Sequence, residues 1–426
     1  MTGVIHYLWQ HKLLNGKELC TTNGKRTEII DYGSWDEECR IVRNAKVRIG
    51  NEMLSGNILL ECNNKEMKGE NMKGEGDNII LKVTLDGNDN AGYELDSTNR
   101  LLLKCDDSLI EEYDAMEKRE RRLYCYEVMT ELEDVVLHSL MSRLLMERIE
   151  EKAANIEKVF KASDCKWDDT LFRTITRSFG FGIQGNIFEE WASMLDMKAL
   201  AKHRDNEIQV EAIMFGQAGL LHEESIPYYY RRNAICSTYF RNLQREYRFL
   251  SRKFGLKEMD YRKWGTSNAT PHVRIARLAT LYFGQKASMS SIAACNTTAE
   301  LYRILEAPLH GYWHNHTCFG GTETSGNGVM RPRHCDIIII NAVVPILFIY
   351  GKRHRDLALC SKAEDLLHFM RSEENGIVRR WKEKGMEIDC AADSQALLQL
   401  NKKYCSACNC KNCHFAYHYI KKRITK

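Results

Sequence analysis

The chain of 426 residues carries 61 Lys and Arg against 58 Asp and Glu, with 44% hydrophobic and 9% aromatic residues, 5 prolines and 16 cysteines. Collagen-like, disordered and small disulfide-scaffold chains are excluded, because they need periodic glycine, fewer apolar residues or a much shorter sequence. The net charge of +3 conceals segregation: residues 1–110 hold 14 basic and 18 acidic side chains, residues 228–286 hold 13 and 3, and residues 401–426 hold 7 and 0, so positive potential gathers in two places suited to a polyanion.

Ile5, Leu8, Trp9 and Leu13 stand at helical spacing, and short runs between turn residues follow them. Those runs, Arg26–Ile30, Ala45–Ile49, Asn57–Cys62, Asn78–Leu85 and Leu101–Lys104, read as strands. The stretches Asn63–Asp77 and Asp86–Asn99, rich in Asn, Gly, Lys, Glu and Asp, suit hairpin loops between them. From about Ser108 the period becomes three to four. Helices are predicted near 108–118, 123–161, 167–178, 186–194, 205–221, 234–253, 271–283, 298–305, 335–350, 356–370 and 391–403. The expectation is an α+β protein: a small helix-plus-strands domain over 1–107, a large all-α domain over 108–400 and a Cys-rich basic tail over 401–426. No internal repeat is visible.

Met1–Lys12 is interrupted by His6, Gln10 and His11 and lacks the basic-then-apolar order of an export signal. The apolar run Ile337–Tyr350 contains Asn341 and Pro345 and falls short of the roughly 20 residues of a bilayer span, so it reads as a core helix. A cytoplasmic chain with reduced thiols and no membrane partner is expected, in which clustered cysteines are metal ligands rather than disulfides.

One such cluster closes the chain. Cys405, Cys408, Cys410 and Cys413 form Cys-x2-Cys-x-Cys-x2-Cys within nine residues, a density of thiolates that favours soft or borderline metals. Zn²⁺ is the first expectation and an iron–sulfur cluster the alternative. Because the two knuckles are separated by Asn409 alone, one metal could instead use Cys405, Cys410 and Cys413 with a ligand from elsewhere, Cys408, His414 or His418 being candidates. The basic segment supplies the second set: Arg231, Arg232, Arg241, Arg245, Arg248, Arg252, Lys253, Arg274 and Arg277 interleave with Tyr228, Tyr229, Tyr230, Tyr239, Phe240, Tyr247 and Trp264. Guanidinium groups pair with phosphates while aromatic faces stack on bases, which suits DNA or RNA. The competing reading is an ordinary solvated helix face, since Tyr239, Phe240, Leu243, Tyr247 and Leu250 have core-facing spacing. His314-Asn315-His316 spells the letters of a nuclease motif, but its helical surroundings lack the ββα-metal context that motif needs.

Several stretches together carry a family likeness: Ile5-His6-Tyr7-Leu8-Trp9-Gln10-His11-Lys12-Leu13, Asn44-Ala45-Lys46-Val47-Arg48-Ile49, Lys202-His203-Arg204-Asp205, Glu211–Leu221, Tyr312-Trp313 with His316, Ile340-Asn341 with Val343-Val344-Pro345, Asp393-Ser394-Gln395-Ala396-Leu397 and Tyr404-Cys405. Spread over essentially the whole chain, they resemble the bacterial domain of unknown function 2851 family. The resemblance implies an N-terminal part similar to the restriction-endonuclease-like PD-(D/E)xK fold, in which strands present an Asp and a Glu-x-Lys-type pair to a divalent metal. Ile41 stands where the family has that Asp and Leu59 where it has the Glu, and neither binds Mg²⁺.

Glu61 shares a strand face with Leu59 and, with Asp77 or Asp36, is the remaining carboxylate candidate. Three functional expectations follow. The first is a nucleic-acid-associated, catalytically inactive nuclease-like protein. The second is an active Mg²⁺-dependent DNA or RNA phosphodiesterase, and the third a non-enzymatic scaffold for an acidic protein partner.

Overall fold

The computed structural model describes residues 3–36, 41–61, 78–85, 99–103, 107–120, 125–181, 184–265, 271–284, 287–324 and 328–425. An N-terminal sheet is followed by helices, the α+β class expected from the change of period. The chain forms two compact units that do not follow chain order: Met1–Leu140 with Arg380–Met386 and Leu400–Lys426, and Met141–Arg379 with Glu387–Gln399.

In the first unit, α1 (Gly3–Gln10) buries Val4, Ile5, Tyr7, Leu8 and Trp9, and Trp9 Nε1–H donates to the Tyr32 carbonyl at 2.9 Å. The strands are β1 (Leu19–Cys20), β2 (Arg26–Asp31), β3 (Ser34–Asp36), β4 (Ile41–Ile49), β5 (Glu52–Glu61), β6 (Ile79–Leu85) and β7 (Asn99–Leu103). They order as β1-β2-β4-β5-β6-β7, with β3 also beside β4. In β4 the burial alternates through Ala45, Val47 and Ile49, the period-two signature of a sheet with one covered face.

The pairing corrects one expectation. β4 and β5 are antiparallel, but β5–β6 and β6–β7 are parallel, and parallel neighbours cannot be joined by hairpins. The stretches 63–77 and 86–98 read as hairpin loops lie outside the described residues. Also in this unit are α2 (Asp107–Glu117), α3 (Tyr126–Glu131) and the helix His414–Thr425. Tyr7 and Tyr113 meet edge to face at 5.5 Å, joining α1 to α2.

The helix predicted over 123–161 is two helices. α3 stops at an extended Leu132, and α4 (Asp134–Ala162) restarts with Asp134 in its first turn, where a carboxylate complements the helix dipole. The second unit continues through α5 (Trp167–Ser178), α6 (Gly185–Met194), α7 (Met197–Lys202), α8 (Glu207–Gln217), α9 (Tyr228–Cys236), α10 (Thr238–Phe254) and α11 (His272–Phe283).

The apolar run lies in a helical stretch, Pro332–His354, long and apolar enough to cross a membrane by length and composition. Ile338, Ile339, Ile340, Ala342, Val343, Ile346 and Leu347 are at most 1% exposed, so it is a core helix of this unit. A π-helical turn, Ile339–Val343, interrupts it, and Asn341 Nδ2 donates back to the Ile337 carbonyl there. Close packing of α8 and α10 requires Gly216: a Cβ there would overlap the Tyr247 ring.

Candidate functional site

In α10, Phe240, Leu243, Tyr247 and Leu250 recur at three- and four-residue intervals and are buried. That spacing fixes the opposite face, where Arg241, Arg245, Arg248, Arg252 and Lys253 are exposed. Arg252 and Lys253 lie in the last turn, favourable for the dipole, and Gly255 ends the helix at φ +66°. Arg245 approaches Glu246 at 3.6 Å while its side chain stays 74% exposed. Among the described residues, no ion pair joins Arg241, Arg248, Arg252 or Lys253 to a carboxylate. Arg245, Arg248, Phe249, Arg252 and Lys253 line a shallow groove of about 420 Å³. Phe249 is 59% exposed there, with the Lys253 ammonium 5.8 Å from its ring centre. Arg232 is exposed on α9 with Tyr228 and Tyr229, whereas Arg231 is half-buried and donates to the Ile226 carbonyl at 3.3 Å.

Arg274 and Arg277 stand apart from this face. Arg274 donates to Gln184 Oε1 at 2.9 Å and to the Phe179 carbonyl at 3.3 Å, with its guanidinium over the Phe181 and Phe188 rings. Arg277 is 9% exposed and donates to the Ala307 carbonyl at 2.9 Å. Burial lowers the pKa of both. These two hold backbone carbonyls that would otherwise be orphaned inside the unit, so they are withdrawn from any phosphate.

Among the described residues, no carboxylate cluster forms a cation site. Asp36 accepts from Arg43 Nε at 2.6 Å. Glu61 ends β5 opposite Thr84; its side chain, and all of Asp77, lie outside the described residues. Ile41 and Leu59 are cross-strand partners, 3% and 8% exposed. The two positions where the resemblance would put metal-binding acids thus form one apolar contact. His316 stacks on Tyr312 at 4.0 Å beside the short helix Tyr312–Asn315, and its Nδ1 lies 3.0 Å from the Tyr312 carbonyl.

In the first unit, a π-helical turn, Asn401–Cys405, carries the chain into the cysteine-rich stretch, and a 3-10 turn, Cys410–Asn412, leads into the last helix. Cys405, Cys410 and Cys413 line one cavity. The fourth cysteine of that cavity is Cys125, at the start of α3, and not Cys408, which turns through φ +47° and is not in the lining. Tyr126, Trp381, Leu400, Tyr404 and Phe415 complete a largely apolar wall. Burial, reinforced by Cys413, Cys410 and Cys405, pushes the Cys125 thiol well up. Among the described residues, no three His, Cys, Asp or Glu side chains are drawn together as a ready ligand set for a metal ion; the four thiols share the lining of the cavity. Three basic residues of this segment meet carboxylates. Lys411 approaches Glu117 at 3.8 Å, Arg423 approaches Glu112 at 3.4 Å, and Lys422 pairs with Glu131.

The spacing analysis missed Cys125, because roughly 280 positions separate it from Cys405 and no local pattern links them. It also missed a buried polar group in the second unit. Tyr239 O–H donates to Glu211 Oε2 at 2.7 Å, and Trp313 Nε1–H donates to the Tyr239 oxygen at 2.7 Å. Burial pushes Glu211 up to about 7. His272, whose ring centre lies 6.1 Å from that of Trp313, is lowered to about 4 by burial alone.

A family model described as a protein of unknown function, DUF2851, matches residues 3–376. No curated protein and no solved structure matches the chain.

Proposed function

The chain belongs to this family of proteins of unknown function, and we propose that it binds nucleic acid along the exposed face of α10 without cutting it. The observation that carries this reading is the stripe Arg241, Arg245, Arg248, Arg252 and Lys253, open to solvent and flanked by the exposed ring of Phe249. At 1.5 Å per residue the stripe is about 18 Å long, the axial reach of about five phosphates on one duplex strand. An arginine face serving only solubility would be met by the chain's own carboxylates, as Lys411, Lys422 and Arg423 are in the other unit. Phe249 adds a surface on which an unpaired base can stack, worth about 1–3 kcal/mol.

The absence of cutting is part of the proposal. The buried Ile41–Leu59 pair supports it, since a divalent cation needs oxygen ligands and these positions offer none. The N-terminal sheet is accordingly read as a nuclease-like module that has lost its acids.

Binding of labelled duplex and single-stranded DNA and RNA, titrated across salt, tests the reading. If all five cations engage duplex DNA, the log–log slope is about −4.5, at about −0.9 per phosphate. Replacing Arg241, Arg245, Arg248 and Arg252 together by Gln should remove most of that slope. Phe249→Ala should weaken single strands more than duplex. Affinity absent at low salt, or unchanged in the fourfold variant, would sink the proposal. Co-purification of an acidic protein that survives nuclease treatment would point to the scaffold reading. Cleavage in Mg²⁺ or Mn²⁺ that is lost in Glu61→Gln would overturn the claim of inactivity.

A further inference from the structure

We infer that Cys125, Cys405, Cys410 and Cys413 are the four ligands of an iron–sulfur cluster in the first unit. Four cysteines facing one apolar cavity are a complete thiolate set for a two-iron or four-iron centre. The three tail ligands read Cys-x4-Cys-x2-Cys once Cys408 is set aside, the run found in plant-type two-iron centres, where a distant cysteine completes the set. Here that distant residue is Cys125, although it precedes the run rather than following it.

The cavity has room at its centre. About 20 Å³ of it is open to the centre of a water molecule; a rounded hollow of that size, with 1.4 Å added for the water radius, is about 6 Å across. A structural zinc holds its sulfurs at about 2.3 Å, which brings their surfaces almost onto the ion and leaves no space for water. In a cluster the thiolates bind different irons and need not close on one point; all four thiols line this one cavity.

The surroundings suit an anionic centre. Cys413 immediately precedes the twelve-residue helix His414–Thr425, whose N-terminal dipole favours negative charge. Arg380 lines the cavity, and residues 401–426 contain no acid. Trp381, Tyr404 and Phe415 shield it from bulk water. Assembly needs no redox change in the protein. Each thiol gives its proton to solvent as its sulfur bonds an iron, and inorganic sulfide with ferric iron for a two-iron core, or with equal ferric and ferrous iron for a four-iron core, supplies the rest without an oxidant.

The test uses the full chain purified under nitrogen from iron-supplemented cells, assayed for iron, zinc, acid-labile sulfide and visible absorption. The expected result is brown protein with matched iron and sulfide, about two or four of each per chain. Cys125→Ser and Cys410→Ser should lose most of both, whereas Cys408→Ser should retain them. Stoichiometric zinc without sulfide would overturn the inference. So would wild-type protein that takes up no cluster when given ferric and ferrous iron together with sulfide anaerobically, or equal losses in Cys408→Ser and Cys125→Ser. The wild-type and Cys408→Ser measurements decide the matter even if the ligand variants fold poorly.

Discussion

Glu211 sits 6% exposed beneath Tyr239 and Trp313, and its carboxyl, ordinarily at 4.5, is pushed up to about 7 by burial, partly opposed by the Tyr239 hydrogen bond. Between those two values the native state keeps a proton that the unfolded chain has released, so this group's contribution falls as pH rises. The loss, complete above pH 7, is about 3 kcal/mol. His272, lowered to about 4, has the opposite sign, its contribution being lost as pH falls from 6.5 towards 4. Glu211→Gln should therefore gain on the wild type by about 3 kcal/mol between pH 4.5 and pH 8, read from denaturant midpoints. A difference between the two proteins that stays constant with pH would show that the carboxyl is ionised when folded. The same distinction between residue type and residue environment governs the arginines. Nine candidate cations look alike in sequence, yet Arg277 ends beneath the surface holding carbonyls and Arg248 ends in water.

Amphipathic period makes α10 legible at the level of elements. Its four buried residues and its exposed arginines follow from one 3.6-residue repeat, and Leu243→Ala should cost about 2–5 kcal/mol through loss of packing and the cavity left behind. What α10 packs against is not in that repeat. Gly216 of α8 is needed because the Tyr247 ring occupies the space a methyl would fill. Gly216→Ala should thus destabilise by roughly 1–3 kcal/mol from overpacking, even though alanine favours a helix by about 1 kcal/mol. Chemical denaturation measures both changes, and a stabilised Gly216→Ala protein would show that α8 and α10 are not tightly apposed. Elements without strong periodicity were passed over, α7 and α9 among them, as was the break between α3 and α4. Short helices depend on neighbours rather than on propensity.

At the level of the whole chain, residues 400–426 belong to the same compact unit as residues 1–140, although the intervening residues other than Arg380–Met386 build another. A chain ending at Gln399 should consequently lose cooperative unfolding of the first unit and expose residues 1–140 to protease. A resistant fragment starting near Met141 should remain. Survival of the N-terminal residues in that digest would show that the sheet and α1 to α3 stand without the C-terminal helix. Limited proteolysis followed by mass determination reads the outcome.

Local period was enough to establish the α+β class and to place the apolar and basic faces of α10, because each depends on residues within a few turns of one another. The parallel pairing of β5, β6 and β7, the inward hydrogen bonds of Arg274 and Arg277, and the presence of Cys125 rather than Cys408 among the thiols were open until the chain was folded. Each depends on groups far apart in sequence meeting in space, and a linear pattern holds no record of which distant partner will exclude water from a given side chain.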